Sequence, residues 1–220
     1  MEFFITGTDT GCGKTLVTLA LMERLRQTGG RVAGMKPVAA GAAVTSQGLR
    51  NEDALAIQAH SDGNPPYRRI NPSCLERPAA PHLAAAAEGR KIDLEAVLEA
   101  ARELRRESDH LVVEGAGGWK VPLDGERDMA DLCRLLDLPV ILVVGLKLGC
   151  INHALLTAES ILNAGAKLAG WVASSLEPEM PFEAGNLATL EERIPAPLLG
   201  HLPWQANPDP RSCAARLDLP

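Results

Sequence analysis

The feature that most constrains the fold of this 220-residue chain is a glycine-rich segment near its N-terminus. Residues 7–15 read GTDTGCGKT and directly follow the apolar residues 3–5. In a P-loop, glycines let backbone amides approach phosphate oxygens, a lysine reaches the β- and γ-phosphates, and a terminal hydroxyl ligates Mg²⁺. Lys14 and Thr15 stand at these two positions. A strand pattern before the segment and a helical pattern after it favour this interpretation over a chance glycine-rich turn.

The spacing of this segment departs from the common P-loop pattern, in which four residues separate the two glycines. Five residues lie between Gly7 and Gly13, and Thr8 occupies the first glycine position of the strict register. The helical pattern that follows runs from Leu16 and ends at residues 29–30, which are both glycine. Despite its irregular spacing, we therefore interpret the segment as a nucleotide-phosphate site.

Composition excludes several classes of protein. The net charge is −6 and no basic block is present, so we expect no nucleic-acid partner. No apolar run reaches the roughly 18 residues of a membrane span, and a predicted core strand stands where a signal peptide would begin. The five cysteines form no C-x-x-C pair, which indicates a reduced, cytoplasmic protein without disulfides or a zinc site. The hydrophobic content of 46% suits one domain over residues 1–220.

Strand and helix patterns alternate along the chain, which predicts an α/β fold. We expect a single-domain P-loop NTPase with a mostly parallel sheet and helices on both faces. The predicted strands cover residues 1–6, 31–36, 110–114, 139–144, 168–173 and 197–200. One predicted helix directly follows the P-loop. The other predicted helices cover residues 51–59, 94–106, 128–136 and 152–163. The sequence further predicts a loop over residues 39–48 and a long irregular connection over the proline-rich residues 62–81.

Polar side chains stand where several predicted strands end, and ligands bind at the carboxyl ends of strands in such sheets. Lys36 would place a second cation near the γ-phosphate, which suits phosphoryl transfer; the alternative is a lysine that extends to solvent at the sheet edge. Glu114 ends a strand and precedes a glycine-rich turn, so we favour a Mg²⁺ ligand over an exposed terminal acid. A further strand ends near Lys147.

Two other candidates stay open on sequence grounds. Asp53 is a possible second Mg²⁺ ligand, but its neighbour Glu52 and an ordinary exposed helix acid are equally compatible. Asn152 can cap the helix that we predict from that residue. Together with the amides of Cys150 and Ile151 it would form an anion site, although a cap without a ligand is equally compatible.

With these residues assembled, the chain resembles the dethiobiotin synthetase family nearly from end to end. The P-loop string carries the extra residue that this family also has. The most specific strings are EGAGGW from Glu114 and KLGCINH from Lys147. The remaining strings that carry the resemblance are KPVAAG (36–41), NEDA (51–54), PH (81–82), GWVA (170–173), IPAPLLG (194–200) and PW (203–204).

The resemblance implies an ATP-dependent ligase of biotin biosynthesis. Its reaction converts ATP, CO₂ and 7,8-diaminononanoate into dethiobiotin, ADP and phosphate. One substrate amine takes up CO₂ as a carbamate, and a carbamate oxygen attacks the γ-phosphate. The second amine then closes on the carbonyl of the carbamic-phosphoric anhydride and expels phosphate. Holding both amines close to one carbon makes ring closure intramolecular.

The resemblance also assigns roles to residues of this chain. The catalytic residues that it implies are Lys14 and Lys36. The nucleotide contacts that it implies are Gly11, Cys12, Gly13, Lys14, Thr15, Ser174, Pro203 and Asp209. The Mg²⁺ ligands that it implies are Thr15, Asp53 and Glu114. The substrate contacts that it implies are Thr10, Lys36, Ala40, Gly149, Cys150, Ile151 and Asn152.

The family is a homodimer with its substrate at the subunit interface, where one subunit's helix start receives the carboxylate of substrate bound to the other. This chain departs from the family pattern at three positions. Ala40 replaces a frequent serine, Gly11 replaces a frequent acid, and Ser174 replaces the asparagine that commonly contacts adenine. Since serine is shorter, we expect looser selectivity for the nucleotide base.

A second class of function is a partner-driven ATPase switch from the related dimeric P-loop proteins. Such switches typically carry a further lysine within the loop, whereas Thr10, Gly11 and Cys12 precede Gly13 here. The 220 residues also leave no room for the glutaminase domain of related amidating synthases. A nucleotide-binding protein that has lost catalysis is a third possibility, to which only Ala40 points.

Overall fold

The structure, a computed structural model, describes all 220 residues. Helices and strands alternate along most of the chain. The strands are β1 (Glu2–Gly7), β2 (Val32–Met35), β3 (Val38–Ala39), β4 (Ala43–Thr45), β5 (Gly48–Arg50), β6 (Ser73–Cys74), β7 (His110–Glu114), β8 (Val140–Leu146), β9 (Leu168–Ser175) and β10 (Leu198–Leu202). The helices are α1 (Lys14–Arg26), α2 (Glu52–His60), α3 (Tyr67–Ile70), α4 (Pro81–Ala87), α5 (Leu94–Glu107), α6 (Met129–Leu136), α7 (Cys150–Asn163), α8 (Glu183–Arg193) and α9 (Pro210–Ala214).

Six strands form the central sheet in the order β10-β9-β8-β1-β7-β2, and every neighbouring pair is parallel. All seven residues of β8 are buried. Because successive side chains of a strand point to opposite faces, this burial requires cover on both faces of the sheet. The predicted α/β class, with a parallel sheet flanked by helices, is confirmed. Strand β1 lies between β7 and β8, so its following loop opens at the middle of the carboxyl edge.

Short polar side chains cap four of the helices, namely α2, α5, α6 and α9. Asp93 accepts a hydrogen bond from the amide of Ala96 at 3.0 Å and caps α5. At α6, Asp128 accepts from the amide of Asp131, whose own carboxylate accepts from the amide of Asp128. This reciprocal capping box satisfies amides that have no partner within the helix.

The sequence-based prediction is wrong in two connections. Residues 39–48 are not a loop throughout, because β4 and β5 pair there as an antiparallel hairpin. The segment 62–81 contains α3 and β6, and β6 pairs with β3 beside the main sheet. These elements are too short to give a periodic pattern of apolar residues. None of the helices is long and apolar enough to cross a lipid bilayer.

Candidate active site

The glycine-rich segment joins β1 to α1 at the carboxyl edge of the sheet. Gly13 precedes the helix with a φ angle of 94°, a conformation that favours glycine. From Gly11 to Leu16, no backbone amide donates to a carbonyl oxygen of the chain. A run of unpaired amides at a helix N-terminus is an anion site. The loop therefore has the hydrogen-bonding capacity to hold phosphate groups.

Lys14 lies folded into this loop and is only 6% exposed. Its Nζ donates to the carbonyl oxygen of Asp9 at 2.7 Å. Cys12 is buried behind the loop, where its side chain occupies the space that a side chain at Gly7 would need. The sulfur of Cys12 lies 3.8 Å from the Lys14 Nζ. The thiol thus fills space behind the loop, and only the backbone of Cys12 belongs to the run of unpaired amides.

A cluster of charges lies beside the loop and consists of the buried Lys36 and Glu114 and the partly exposed Asp53. Lys36 follows β2, Glu114 ends β7, and Asp53 is in the first turn of α2. The Nζ of Lys36 donates to Glu114 Oε1 and, at 3.1 Å, to Asp53 Oδ2. The Thr15 hydroxyl donates to Glu114 Oε1 at 2.9 Å. Adjacent strands and two helix starts thus bring together residues that are far apart in the sequence.

Electrostatics favour the charged forms of Lys36 and Asp53. Burial disfavours the charged form of Lys36, but the carboxylates of Glu114 and Asp53 outweigh this effect and raise its pKa. Burial likewise opposes ionisation of Asp53, and the nearby Lys36 ammonium outweighs it and lowers the pKa of Asp53. A lysine that stays protonated near a phosphate site can neutralise developing negative charge.

The cluster also carries an unused acceptor. Glu114 is fully buried, and its Oε2 has no hydrogen-bond partner. Buried carboxylate oxygens are rarely left unpaired because desolvation is costly. Together with the Thr15 hydroxyl and the Asp53 carboxylate, Oε2 forms an all-oxygen donor set, which is what Mg²⁺ prefers. The residues present therefore fit the predicted metal.

A cavity of about 700 Å³ opens beside these groups. Its lining includes most residues predicted for phosphate, metal and substrate, namely Thr10, Gly11, Gly13, Lys14, Thr15, Lys36, Ala40, Asp53 and Glu114. The sequence did not single out several other lining residues, namely Pro78, Ala79, Ala80 and Val121. Most of these are small or apolar side chains, and no motif distinguishes such residues from ordinary core positions.

The three residues predicted to contact the base lie outside this cavity. Ser174, in β9, is buried, and its hydroxyl occupies the space that a side chain at Gly13 would need. Asp209 caps α9, because its carboxylate accepts from the amides of Arg211 and Ser212. Pro203 follows β10. Ser174 is therefore placed beside the phosphate loop, while the Asp209 carboxylate is engaged by its own helix.

The predicted carboxylate site at the start of α7 is arranged differently from the expectation. Helix α7 begins at Cys150, its N-cap is Gly149, and Asn152 lies within the first turn, so the prediction that Asn152 caps the helix is wrong. A φ angle of 92° at Gly149 allows this earlier start. The amide of Cys150 donates to the carbonyl of Lys147. The amides of Ile151 and Asn152 have no backbone acceptor.

Sequence reasoning missed an ion pair at the outer side of the loop. The Nζ of Lys147 lies 2.7 Å from Asp9 Oδ2, and both side chains are well exposed. The hydrogen bond from Lys147 lowers the pKa of Asp9, and the amide of Thr10 adds to this effect. The position of Lys147 after a strand was visible in the sequence, but its partner, 138 residues away, was not.

The parallel sheet, the amide-lined loop and the adjacent charge cluster define a P-loop nucleotide-binding protein of the α/β class. A family model described as an AAA domain matches residues 1–212. The Thermotoga maritima cell division protein FtsY has a similar fold, with a TM-score of 0.54 and 16% identity over 97% of this chain and 67% of that one. The Aquifex aeolicus MinC:MinD complex gives a TM-score of 0.57 and 18% identity over 93% of this chain and 82% of the matched one.

Several curated proteins have a much higher sequence identity to this chain than these two structures have. The ATP-dependent dethiobiotin synthetase BioD of Cellvibrio japonicus is 50% identical over 217 residues, which is 99% of this chain and 95% of that protein. The protein of the same name from Pseudomonas aeruginosa is also 50% identical, over 99% of this chain and 96% of its own length. The chain therefore belongs to the ATP-dependent dethiobiotin synthetase family, as its sequence strings indicated.

Proposed function

We propose that this chain uses ATP to join CO₂ and 7,8-diaminononanoate into dethiobiotin, releasing ADP and phosphate. The observation that carries the proposal is the buried Lys36–Glu114 pair, with Asp53 at its exposed side, beside an amide-lined phosphate loop. Family membership indicates which substrates the protein uses, and the cluster provides side chains suited to phosphoryl transfer. One domain over residues 1–220 would hold the whole site of a subunit apart from what its partner adds.

The nucleotide phosphates would lie on the amides of Gly11, Cys12, Gly13, Lys14 and Thr15. The Nζ of Lys14 would exchange the Asp9 carbonyl for the β- and γ-phosphates, because a charged acceptor forms the stronger hydrogen bond. Ser174, Pro203 and Asp209 would lie on the base side of the nucleotide. Since the carboxylate of Asp209 caps α9, we expect its contribution there to come from the position of its backbone.

Mg²⁺ would be held by Thr15, Asp53 and Glu114, with Glu114 Oε2 as the acceptor that has no other partner. When bound, this ion neutralises phosphate charge and helps to orient the transferred group. Lys36 already holds Glu114 Oε1 and Asp53 Oδ2 in place. The protein thus presents its carboxylates with their positions fixed before the nucleotide arrives.

The substrate would occupy the cavity beside Thr10, Lys36 and Ala40. One amine of the diamine takes up CO₂ and loses a proton to give a carbamate anion. Lys36 would bind this anion and orient one of its oxygens towards the γ-phosphorus. Ala40 offers no hydroxyl to the substrate, so Thr10 and Lys36 would provide the polar contacts on this side.

The carbamate oxygen forms a bond to the γ-phosphorus while the bond to the ADP oxygen breaks. Lys14 and Lys36 would offset the charge on the transferred phosphoryl group. The second amine then attacks the carbonyl carbon and loses a proton. The bond from that carbon to the phosphate oxygen breaks, which closes the ureido ring and releases phosphate carrying one oxygen from CO₂.

The functional unit would be a homodimer in which Gly149, Cys150, Ile151 and Asn152 receive the carboxylate of substrate bound to the partner subunit. The unpaired amides of Ile151 and Asn152 support this role. Two leucines support a second copy as the occupant of this surface, since Leu148 is 97% and Leu156 is 58% exposed. Replacing both leucines by glutamate is expected to yield monomers in sedimentation experiments, whereas a wild-type monomer would contradict the dimer.

We place the enzyme in the cytoplasm, because all five cysteines are free and buried, as suits a reducing compartment. The alternative of a partner-driven ATPase switch gains no support from the likeness to MinD. At 18% identity, that likeness concerns the fold alone. The loop also has an acid, Asp9, and no second lysine before Gly13.

The proposal is tested by phosphate release from MgATP, measured with and without the diamine and bicarbonate. We expect release to require both additions and to yield one ureido product per phosphate, as detected by mass spectrometry. Phosphate release that is unaffected by the diamine would refute the synthetase function. Release that depends on a protein partner instead would favour the switch.

A further inference from the structure

The hydroxyl of Tyr67 connects two parts of the chain that carry charged site residues. Tyr67 is the only tyrosine and lies outside the cavity, at the start of α3. Its hydroxyl oxygen accepts a hydrogen bond from the amide of Asn51 at 2.8 Å and donates to Asn71 Oδ1 at 3.1 Å. Both hydrogen-bonding functions of the hydroxyl are thus used within the protein.

The first of these bonds bears on Asp53. Asn51 is the N-cap of α2, and its side chain accepts from the amide of Ala54. The bond from the Asn51 amide to Tyr67 therefore fixes the start of the helix on which Asp53 lies. Because Asp53 stands only two residues after Asn51, a displacement of the cap would carry its carboxylate along.

The second bond bears on Lys36. Asn71 is buried, and its Nδ2 donates to the backbone carbonyl of Lys36 at 2.6 Å. The amide of Lys36 in turn donates to the carbonyl of Ile70 at 2.8 Å. The backbone of Lys36 is therefore held on both sides by the segment that begins with Tyr67.

We infer that the Tyr67 hydroxyl is a positioning group that sets the separation between the Lys36 ammonium and the Asp53 carboxylate. It acts through Asn51 on one side and Asn71 on the other, and it contacts neither nucleotide nor substrate. This inference rests on the proposed function, in which Lys36 orients the carbamate and Asp53 ligates Mg²⁺. Groups behind the ligands of a metal site commonly matter nearly as much as the ligands themselves.

The ring of Tyr67 has a separate anchor, which allows the hydroxyl to be tested alone. The guanidinium of Arg50 lies 4.3 Å from the ring centroid, and this contact persists in a Tyr67→Phe variant. The variant leaves the Asn51 amide without its acceptor and Asn71 Oδ1 without its donor. A matched control is Cys74→Ala, which removes the sulfur at 3.6 Å from the same hydroxyl but leaves both bonds in place.

The experiment compares the wild-type protein, Tyr67→Phe and Cys74→Ala in two assays. In diamine-dependent phosphate release, we expect Tyr67→Phe to lower kcat about 10- to 100-fold and to raise the Mg²⁺ concentration for half-maximal rate by a similar factor. In calorimetry, its affinity for ADP without Mg²⁺ should match that of the wild type, while the gain in affinity on adding Mg²⁺ should shrink. Cys74→Ala should match the wild type throughout.

A third variant separates positioning from general damage to the fold. Asn71→Ala removes the bond to the Lys36 carbonyl and keeps the bond from Asn51 to Tyr67. It should therefore lower kcat, and because Lys36 also holds Asp53 and Glu114, it should raise the Mg²⁺ requirement, though less than Tyr67→Phe does. Its affinity for ADP without Mg²⁺ should match that of the wild type. If Tyr67→Phe does not fold, these measurements on Asn71→Ala decide the matter.

The inference is overturned if Tyr67→Phe keeps the wild-type kcat and Mg²⁺ requirement, or if Asn71→Ala keeps both. The proposed function can fail separately, because wild-type protein would then show no diamine-dependent release. In that case the calorimetric comparison with ADP and Mg²⁺ still tests the role of Tyr67.

Discussion

The carboxyl edge of the sheet holds two sets of paired charges that differ in their access to water. In the inner set, the side chain of Lys36 is 6% exposed and that of Glu114 is 0% exposed. In the outer pair, the side chains of Lys147 and Asp9 are 39% and 46% exposed. Water can replace a lost partner only in the outer pair. We therefore expect that loss of a charge from the inner set lowers both the stability of the fold and the reaction rate, whereas loss of a charge from the outer pair changes both only slightly.

The largest effect is expected from Lys36→Met, which removes the inner cation and keeps the bulk of the side chain. Breaking a buried pair leaves the carboxylate of Glu114 uncompensated, which costs about 3–5 kcal/mol of stability. We expect kcat to fall by about 10²- to 10³-fold, as for other groups that stabilise transition-state charge. Thermal unfolding and phosphate release measure the two effects. The exposed Lys91→Met is the matched control, and full activity in Lys36→Met would remove Lys36 from the mechanism.

The next effect is expected from Glu114→Gln, which keeps the shape of the inner set but removes its buried negative charge. The amide provides a weaker ligand than the carboxylate, so the Mg²⁺ concentration for half-maximal rate should rise at least about tenfold. Calorimetric titration of ADP with and without Mg²⁺ gives a second readout. The exposed Glu95→Gln should behave as the wild type, and an unchanged Mg²⁺ requirement in Glu114→Gln would exclude it as a ligand.

A smaller effect is expected on selectivity for the nucleotide base, which involves Ser174. This residue is buried beside the phosphate loop and does not belong to the charged set. Loss of one neutral hydrogen bond to the base corresponds to about 1 kcal/mol, or roughly a fivefold preference. We therefore expect kcat/KM for ATP, CTP and GTP to agree within about tenfold. Turnover with the three nucleotides measures this ratio, and a strong preference for ATP would show that other groups select the base.

The smallest effect is expected from Asp9→Asn in the outer pair. Because Lys147 lowers the pKa of Asp9, the pair stabilises the fold above the ordinary carboxyl pKa of about 3.9. This stabilisation is lost as the pH falls through the lowered pKa. The Tm of Asp9→Asn should lie slightly below that of the wild type at pH 7, and the difference should vanish in acid or in high salt. A difference that survives both conditions would mean that the pair is not screened by solvent.

The sequence was sufficient for the parts of the molecule that follow from local patterns. The buried run of β8, the strand ending at Glu114 and the loop before α1 each combine a periodic signal with glycine or proline boundaries. Lys36 and Glu114 were found because parallel strands place their carboxyl ends at one edge of the sheet. Their direct hydrogen bond depends on side-chain geometry, which strand order alone does not provide.

Other features depend on contacts between distant segments. The hairpin of β4 and β5 is largely exposed, so no apolar alternation marks its strands. The start of α7 at Cys150 depends on the backbone of Gly149 rather than on a capping side chain. The role of Tyr67 rests on its bonds to Asn51 and Asn71, and no pattern in a single sequence indicates those partners.

In the proposed mechanism, the γ-phosphate passes to a carbamate oxygen beside Lys36 and not to water. The direct test is a single turnover with ATP, the diamine and freshly dissolved CO₂ labelled with ¹⁸O, in unlabelled water. The reaction is quenched before the label exchanges with solvent, and the released phosphate is analysed by mass spectrometry. We predict one ¹⁸O atom in each phosphate, because the oxygen that attacks phosphorus leaves with it when the ring closes. Phosphate without the label would contradict the mechanism.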